Sequence, residues 1–171
     1  GSNRTIEISM PARSAFTDNT SSIKLRAIFG DDGSKSGIGE VDVEIRFNLT
    51  DGSTTSPEGR GLSRGDFWLH IPSTTTTNSQ VAKLFKNRIN DVSKYHSASI
   101  KEGTGNENIV VLTYKQRGIS GSETISNITG GTISTVSSGT ALMNINYEEI
   151  SHQDLIYMNG AAKLKPSNSR P

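Results

Sequence analysis

The side chains that most often carry out chemistry are few in this sequence and far apart. Its three histidines are His70, His96 and His152, and none has a second histidine two or four residues away. The chain contains no cysteine. A zinc site would therefore need ligands that converge from distant parts of the chain. We predict no metal site, and histidines that are hydrogen-bonded or face solvent.

Acidic residues are the other candidates for catalysis. Hydrolysis of a polysaccharide needs two carboxylates about 5–10 Å apart in a cleft. The candidates are Glu102, Glu107, Glu148 and Glu149, and nothing in their spacing selects a pair. No serine lies in a nucleophile elbow, and no glycine-rich loop matches a phosphate cradle. We therefore predict no catalytic residue, no cofactor and no enzyme activity. An enzyme acting on cell-wall polysaccharide stays the third alternative.

Two short motifs lie in predicted loops. Asp31-Asp32-Gly33 is acidic but lacks the alternating ligands and the closing glutamate of an EF-hand. Arg64-Gly65-Asp66 is an integrin-type tripeptide, but Asp66 leads directly into a predicted strand that would restrain its shape. We expect both motifs to be ordinary turns.

Aromatic and basic residues are candidates for ligand binding. Trp68 and Tyr114 could stack on the apolar faces of sugars, or they could belong to the core or an interface. The wet face and end of the predicted helix are basic, with Lys83, Lys86, Arg88 and Lys94. A net charge of +1 provides no general attraction for nucleic acid or anionic membrane. We therefore predict that neither nucleic acid nor a membrane is a partner, and that a host glycan is a secondary partner.

Apolar residues at period two predict a mainly β fold. The clearest strand is 41–49, whose five odd-numbered residues are apolar and expected in the core, whereas Asp42, Glu44 and Arg46 are expected in solvent. Shorter strands are predicted at 4–10, 23–29, 67–71, 97–101 and 109–114. Weaker strands are predicted within 123–150, with core candidates Ile125, Ile128, Ile133, Val136, Met143, Ile145 and Tyr147.

One helix is predicted, at 77–95. Thr77 and Gln80 have capping-box spacing. The apolar stripe predicted to pack on the sheet consists of Val81, Leu84, Phe85, Ile89 and Val92. We predict an α+β fold: a mainly antiparallel β sandwich or open barrel with one amphipathic helix packed on the sheet.

Composition suits one domain of limited core. The chain has 171 residues, of which 32% are hydrophobic and 17 are glycine. No apolar run approaches the roughly 20 residues of a membrane span, and we expect no signal peptide. We predict a single β-rich domain at 1–158 and an extended C-terminal arm at 159–171. The polar segments 11–22 and 159–171 are expected to be ordered by another protein chain.

Part of the chain resembles a small module that recurs in structural proteins of tailed bacteriophages. The likeness covers about residues 41–130, and its plan is strand, turn, strand, helix, strand, strand and glycine-rich loop. The segments that carry it are Val81–Asn90, Ser97–Ile100, Ile109–Tyr114 and Gly118–Ile125. The module usually has Gly-Asn in the loop, where this chain has Gly121-Ser122. No catalytic residue can be carried over.

The resemblance implies a virion component. It would be a capsid decoration or cement protein, or a tail, baseplate or fibre protein, in contact with capsid or tail subunits and with copies of itself. The alternative is a module of a phage fibre or adhesin that binds glycan or the host surface.

Overall fold

The computed structural model describes residues 3–29, 39–50, 65–119 and 121–139, with only the backbone of Phe29. These residues form eight strands, one α-helix and a short 3₁₀ turn at Arg13–Ala15. The strands are β1 (Thr5–Ser9), β2 (Ser22–Phe29), β3 (Gly39–Asn48), β4 (Phe67–His70), β5 (His96–Ile100), β6 (Ile109–Tyr114), β7 (Thr124–Ser126) and β8 (Thr132–Ser137). The helix α1 spans Asn78–Val92, between β4 and β5.

The strands form two four-stranded sheets. One has the order β5-β6-β1-β8, and the other has the order β4-β3-β2-β7. Every pairing is antiparallel except that of β3 with β4, which is parallel. The predicted α+β class, a mainly antiparallel sandwich with one helix, is confirmed.

The core is built from the alternating apolar residues of both sheets and the apolar stripe of α1. Ile6, Ile8 and Met10 are buried, as predicted for the first strand, and the predicted alternation is also confirmed in β2 and β4. Strand β6 is likewise buried at every second residue. The aromatic centre of this core is Phe47, whose ring stacks on Phe85 of α1 at 6.1 Å between centroids.

Strand β3 has the predicted register but not the predicted solvent face. Of the five odd-numbered residues predicted in the core, Val43, Ile45 and Phe47 are fully buried. The other two, Val41 and Leu49, are only half-buried. Of the three residues predicted in solvent, Glu44 is 1% exposed, and the others, Asp42 and Arg46, are half-buried. The segment before β4 covers that face, because Asp66 Oδ1 accepts a hydrogen bond of 2.6 Å from the Glu44 backbone N–H. Glu44 also forms an ion pair with Arg46 at 2.8 Å. The alternation of apolar and polar residues shows which side chains share a face of the strand. It does not show whether another part of the chain covers that face.

The helix begins as predicted and ends earlier. Thr77 Oγ1 accepts from the Gln80 backbone N–H at 3.2 Å, and Gln80 Oε1 accepts from the Thr77 N–H at 3.1 Å, which completes the capping box. Val81, Phe85 and Ile89 are buried and Leu84 is half-buried. Val92 is 36% exposed, so its predicted burial is wrong. The chain leaves the helix at Ser93, and Val92 therefore lies in a last turn beyond the buried stripe.

The segment 11–22 packs on its own chain, so the expectation that another chain orders it is wrong. Phe16 is 6% exposed, and its ring lies 4.8 Å from that of Phe47. The Arg13 guanidinium donates to the carbonyl oxygens of Ile71 and Leu49 at 3.0 and 2.8 Å. One aromatic anchor and one arginine thus hold an otherwise polar segment. The predicted arm at 159–171 lies outside the described residues.

The weak C-terminal strands are confirmed as β7 and β8. Ile128 is buried, and Ile125 and Ile133 are half-buried. Val136 is 57% exposed, which contradicts its predicted burial. Residues 133 and 136 are an odd number apart and fall on opposite faces of a strand. A register shift also leaves Val136 without a partner on β1. The other predicted core residues, Met143, Ile145 and Tyr147, lie outside the described residues.

Candidate interaction surface

The edges of β4 and β5 lie on the side of the sandwich where α1 packs. Strand β5 pairs with β6 through its odd-numbered residues. Lys115 N donates to Tyr95 O, and Lys101 N donates to Ile109 O, so the backbone N–H and C=O groups of odd-numbered residues point toward β6. The even-numbered residues, His96 and Ala98 among them, therefore turn their backbone groups outward.

Side chains at the end of the helix occupy these outward groups. The Asn90 amide donates to Ala98 O at 2.9 Å and accepts from Ala98 N at 2.8 Å, as a neighbouring strand would. Ser93 Oγ accepts from His96 N at 3.1 Å. On β4, Arg88 Nε donates to Trp68 O at 2.9 Å. Both edges on this side are thus protected against pairing with another strand.

The opposite side of the sandwich carries the edges of β7 and β8, which we call the open edge (residues 124–126 and 132–137). Tyr114 N donates to Arg4 O. The backbone N–H and C=O groups of even-numbered residues of β1 therefore point toward β6, and those of odd-numbered residues point toward β8. The backbone groups of Ile133 and Thr135 therefore turn outward. In the described parts of the chain, no strand pairs with β8 on that side.

The open edge has two of the features that limit pairing and lacks two others, because β7 is only three residues long and β8 contains a bulge. Its two strands contain no charged residue and no proline, whereas exposed edges in soluble proteins commonly carry lysine or proline or are covered. A bulge at Val136 limits the regular part to residues 132–135. Within the described residues, this regular part of β8, with its hydroxyl and aliphatic side chains, has no partner on its outer side.

A buried polar cluster holds the open edge in place. The Arg4 guanidinium donates to the Glu123 carboxylate at 2.8 and 2.9 Å, and the Tyr114 hydroxyl donates to it at 2.6 Å. Arg4 also donates to Thr135 Oγ1 of β8 at 3.1 Å. Gly121, with φ +92°, lies against this arginine, and a Cβ there would approach the guanidinium carbon to 2.5 Å.

The protonation of this cluster follows from its geometry. Burial alone raises the pKa of Glu123, but the hydrogen bonds from Arg4 and Tyr114 outweigh burial and hold that pKa below its ordinary value. Burial and the bond to Glu123 raise the pKa of Tyr114, so its phenol stays protonated and donates. The cluster therefore consists of an ion pair between Arg4 and Glu123 and an uncharged Tyr114 hydroxyl that donates to Glu123.

His96 extends the cluster toward the helix. Its Nε2 faces the carbonyl oxygen of Arg26 at 2.9 Å and must donate, so Nδ1 accepts from Ser93 Oγ at 2.7 Å. Burial lowers the pKa of His96 to about 4. His96 and Tyr114 are fully buried, so neither can contact a substrate. The cluster positions elements of both sheets, because the backbone N–H of Arg26 in β2 also donates to Tyr114 at 3.3 Å.

The structure disperses the candidate metal ligands. His70 Nδ1 bonds to Asn48 Oδ1 at 2.7 Å, and His96 is buried in the cluster above. His152 lies outside the described residues, as do Asp31-Asp32-Gly33. Within the described ranges, no group of three histidine or acidic side chains could hold a metal ion.

The candidate binding residues are also dispersed. Tyr114 is fully buried, so of its two alternatives the structure shows the core residue and not the sugar platform. Trp68 is half-buried, with the Arg46 guanidinium carbon 5.7 Å from its ring centroid. Asp66 is 1% exposed, so the tripeptide cannot present its carboxylate, and Arg64 lies outside the described residues.

Two of the four candidate acids, Glu102 and Glu107, belong to the described residues, and both are exposed. Glu102 and Glu107 lie near the β5–β6 turn, and Glu107 accepts from Gly105 N at 3.2 Å. Glu148 and Glu149 are outside the described residues. A groove of about 310 Å³ lies between the helix and this hairpin and is lined by Ser79, Gln80, Lys83, Lys86, Ile100 and Glu107. Of the predicted basic face, Lys83 and Lys86 border the groove, whereas Arg88 covers β4.

No family model matches the chain, and searches of curated proteins and of solved structures found no match. No helix within the described ranges is long and apolar enough to span a membrane. The asymmetry between a helix-covered side and an open edge is thus the feature of the fold that points most directly to a function. The absence of charge in Thr132–Ser137 is a sequence signal that could have identified this edge.

Proposed function

We propose that this protein is a structural, non-enzymatic component of a tailed-phage virion. It would act as a capsid decoration or cement protein, or as a tail or baseplate protein, and join neighbouring subunits through the open edge. The observation that carries the proposal is the contrast between two protected edges beside α1 and the uncharged open edge of β7 and β8.

Pairing at a strand edge suits a protein of this kind. Main-chain hydrogen bonds supply affinity at such an edge, and the side chains that alternate along it supply specificity. Because the helix side is occupied by Asn90, Ser93 and Arg88, strand addition is directed to one side of each subunit. A contact that joins this edge to a different surface of the next subunit generates a ring or a helical filament of identical subunits.

Local geometry agrees with the resemblance on which the phage setting rests. The order β3, β4, α1, β5, β6 and loop follows the order of that module. Gly121 and Ser122, which replace its usual Gly-Asn, both have positive φ, at +92° and +136°. Glycine adopts such angles most easily, whereas the preference of asparagine for positive φ applies to the left-handed region near +57°, which Ser122 does not occupy. The support for the resemblance is therefore the order of the elements.

The matched variants Val136→Lys and Val92→Lys test the proposal. Val136 and Val92 are the exposed large hydrophobic residues of the described chain, one on the open edge and one on the helix side. A lysine at Val136 should oppose pairing at β8. We expect it to reduce the copy number of the protein in gradient-purified phage particles at least about tenfold, equivalent to about 1.4 kcal/mol, as measured by quantitative mass spectrometry.

Val92→Lys adds the same charge and should leave the copy number unchanged. Equal incorporation of the two variants would show that the open edge does not mediate assembly. Absence of the unmodified protein from particles would contradict the proposed role in the virion.

The alternative, a glycan- or host-surface-binding module, is favoured by the groove beside Lys83 and Lys86. In that case host binding would survive Val136→Lys and be lost on changes in the groove.

A further inference from the structure

The groove between α1 and the β5–β6 hairpin lies on the helix side, and the proposed assembly through the open edge does not use it. Its volume is about 310 Å³. A second cavity, of about 230 Å³, shares Gln80 and Lys83 with it and extends to Leu84 and Asn87. Small-molecule sites begin at about 300 Å³, so the groove has room for a small ligand or for the end of a polymer chain.

One wall of the groove presents a hydrogen-bond donor in a fixed orientation. Gln80 lines the groove, and its Oε1 accepts from the backbone N–H groups of Thr76 and Thr77 at 2.9 and 3.1 Å. These two bonds occupy the amide oxygen and determine which end of the amide is Nε2. The Nε2 amino group donates to no acceptor in the described parts of the chain. Its N–H groups are therefore left for a ligand.

The same wall carries two lysines without a counter-charge. Lys83 and Lys86 are three residues apart, which places them on one face of the helix, and both line the groove. Neither belongs to an ion pair among the described residues. Glu107, which accepts from Gly105 N, is the one acidic residue of the described lining. Two positive charges thus stand against one negative charge, which favours an anionic ligand.

The rest of the lining favours a sugar as the bearer of the negative charge. Ile100 is half-buried at the end of β5 and offers an apolar surface to the C–H groups of a sugar ring. The Ser79 hydroxyl and the Glu107 carboxylate can accept from sugar hydroxyl groups. The described lining contains no aromatic residue on which a neutral sugar would stack. Affinity for a sugar must therefore come from its charged group.

We infer that this groove binds a sugar that carries a carboxylate or phosphate group. Lys83, Lys86 and Gln80 Nε2 would hold the anionic group through charge-assisted hydrogen bonds, while Ile100 and Glu107 contact the ring and one of its hydroxyl groups. The inference names the ligand class of the glycan alternative. It does not depend on the open edge, so either proposal can fail without the other.

Calorimetric titration of the purified full-length protein tests the inference. The ligands are digalacturonate, galactose 1-phosphate, the neutral disaccharide of galactose and the peptide triglutamate. We expect saturable binding of at least one acidic sugar, and affinities at least about tenfold lower for the neutral disaccharide and the peptide. The relative affinity of the two acidic sugars identifies the anionic group as carboxylate or phosphate.

Three results of these titrations would overturn the inference. The first is an absence of saturable binding with both acidic sugars. The second is an equal affinity for the neutral disaccharide, which would show that the charged group is not recognised. The third is an equal affinity for triglutamate, which would show that the groove recognises charge without recognising a sugar.

The variant Gln80→Glu separates ligand binding from folding. Glutamate at this position of a capping box keeps the helix cap, because one carboxylate oxygen can replace Oε1. The other oxygen places a negative charge where Nε2 stands. We expect no loss of thermal stability and an affinity for the acidic sugar at least about tenfold lower. Unchanged affinity would overturn the inference.

The variants Lys83→Gln and Lys86→Gln test the two cations, and Lys94→Gln is their matched control. Lys94 is exposed beyond the end of α1 and does not line the groove, and its change removes the same charge. We expect each change in the groove to lower the affinity at least about fivefold and Lys94→Gln to leave it unchanged. Equal affinities in all three variants would overturn the inference.

Discussion

Glu123→Gln is expected to destabilise the protein by about 3–5 kcal/mol, because it removes one partner of a buried ion pair and leaves Arg4 uncompensated. The side chains of Arg4 and Glu123 are only 8% and 3% exposed. The same change weakens the bond from Tyr114 and loosens the contact of Arg4 with Thr135 on the open edge. Urea unfolding measures the loss of free energy.

The matched control is Glu7→Gln. Glu7 forms an ion pair with Lys101 at 3.1 Å, but these side chains are 21% and 39% exposed. Exposed pairs contribute about 0–1 kcal/mol, so this variant should unfold close to the midpoint of the unmodified protein. A loss for Glu123→Gln no larger than that for Glu7→Gln would contradict a structural role for the cluster.

The second large effect is a loss of stability on acidification. Because the pKa of His96 falls from 6.5 to about 4 in the folded protein, the unfolded chain binds a proton there that the folded chain does not bind between these pH values. The His96 contribution is therefore fully present above pH 6.5 and is lost as the pH falls toward 4. The total is roughly 3 kcal/mol, at about 1.4 kcal/mol for each tenfold change in proton binding.

The measurement is the free energy of unfolding from pH 7.5 to 4 for the unmodified protein and for His96→Gln. The variant lacks the titrating group, so its stability should depend less on pH, although its absolute stability is lower. The carboxylates titrate in both proteins, and the difference in slope therefore isolates His96. Parallel curves would show that His96 does not stay neutral in the fold.

Much of the fold could be predicted because local pattern and burial agree. The capping box of Thr77 and Gln80 and the alternation of β1, β2 and β4 depend on neighbours in sequence, and the structure confirms them. Glu44 was mispredicted because its cover comes from Asp66, which is 22 residues away. Whether a polar face of a strand is exposed to solvent depends on the path of a distant loop. The alternation of residues within the strand carries no information about that path.

The interaction surface was less accessible to sequence reasoning for the same reason. Asn90 and Arg88 read as polar residues on the wet face of a helix. Their role in covering β5 and β4 depends on where the helix ends relative to each strand. The polar cluster brings Arg4 and Glu123 together across 119 positions. No local pattern marks such pairs, so the candidate site emerges only from the register of the two sheets.

Amide hydrogen exchange tests most directly the claim that copies of the protein pair through the open edge. The full-length protein is compared at a concentration where it is assembled and after dilution to the monomer. We expect the amides of Ile133 and Thr135 to exchange slowly only in the assembly. Those of His96 and Ala98, which donate to Ser93 and Asn90, should be equally protected in both states. Equal exchange of Ile133 and Thr135 in the two states would contradict pairing at this edge.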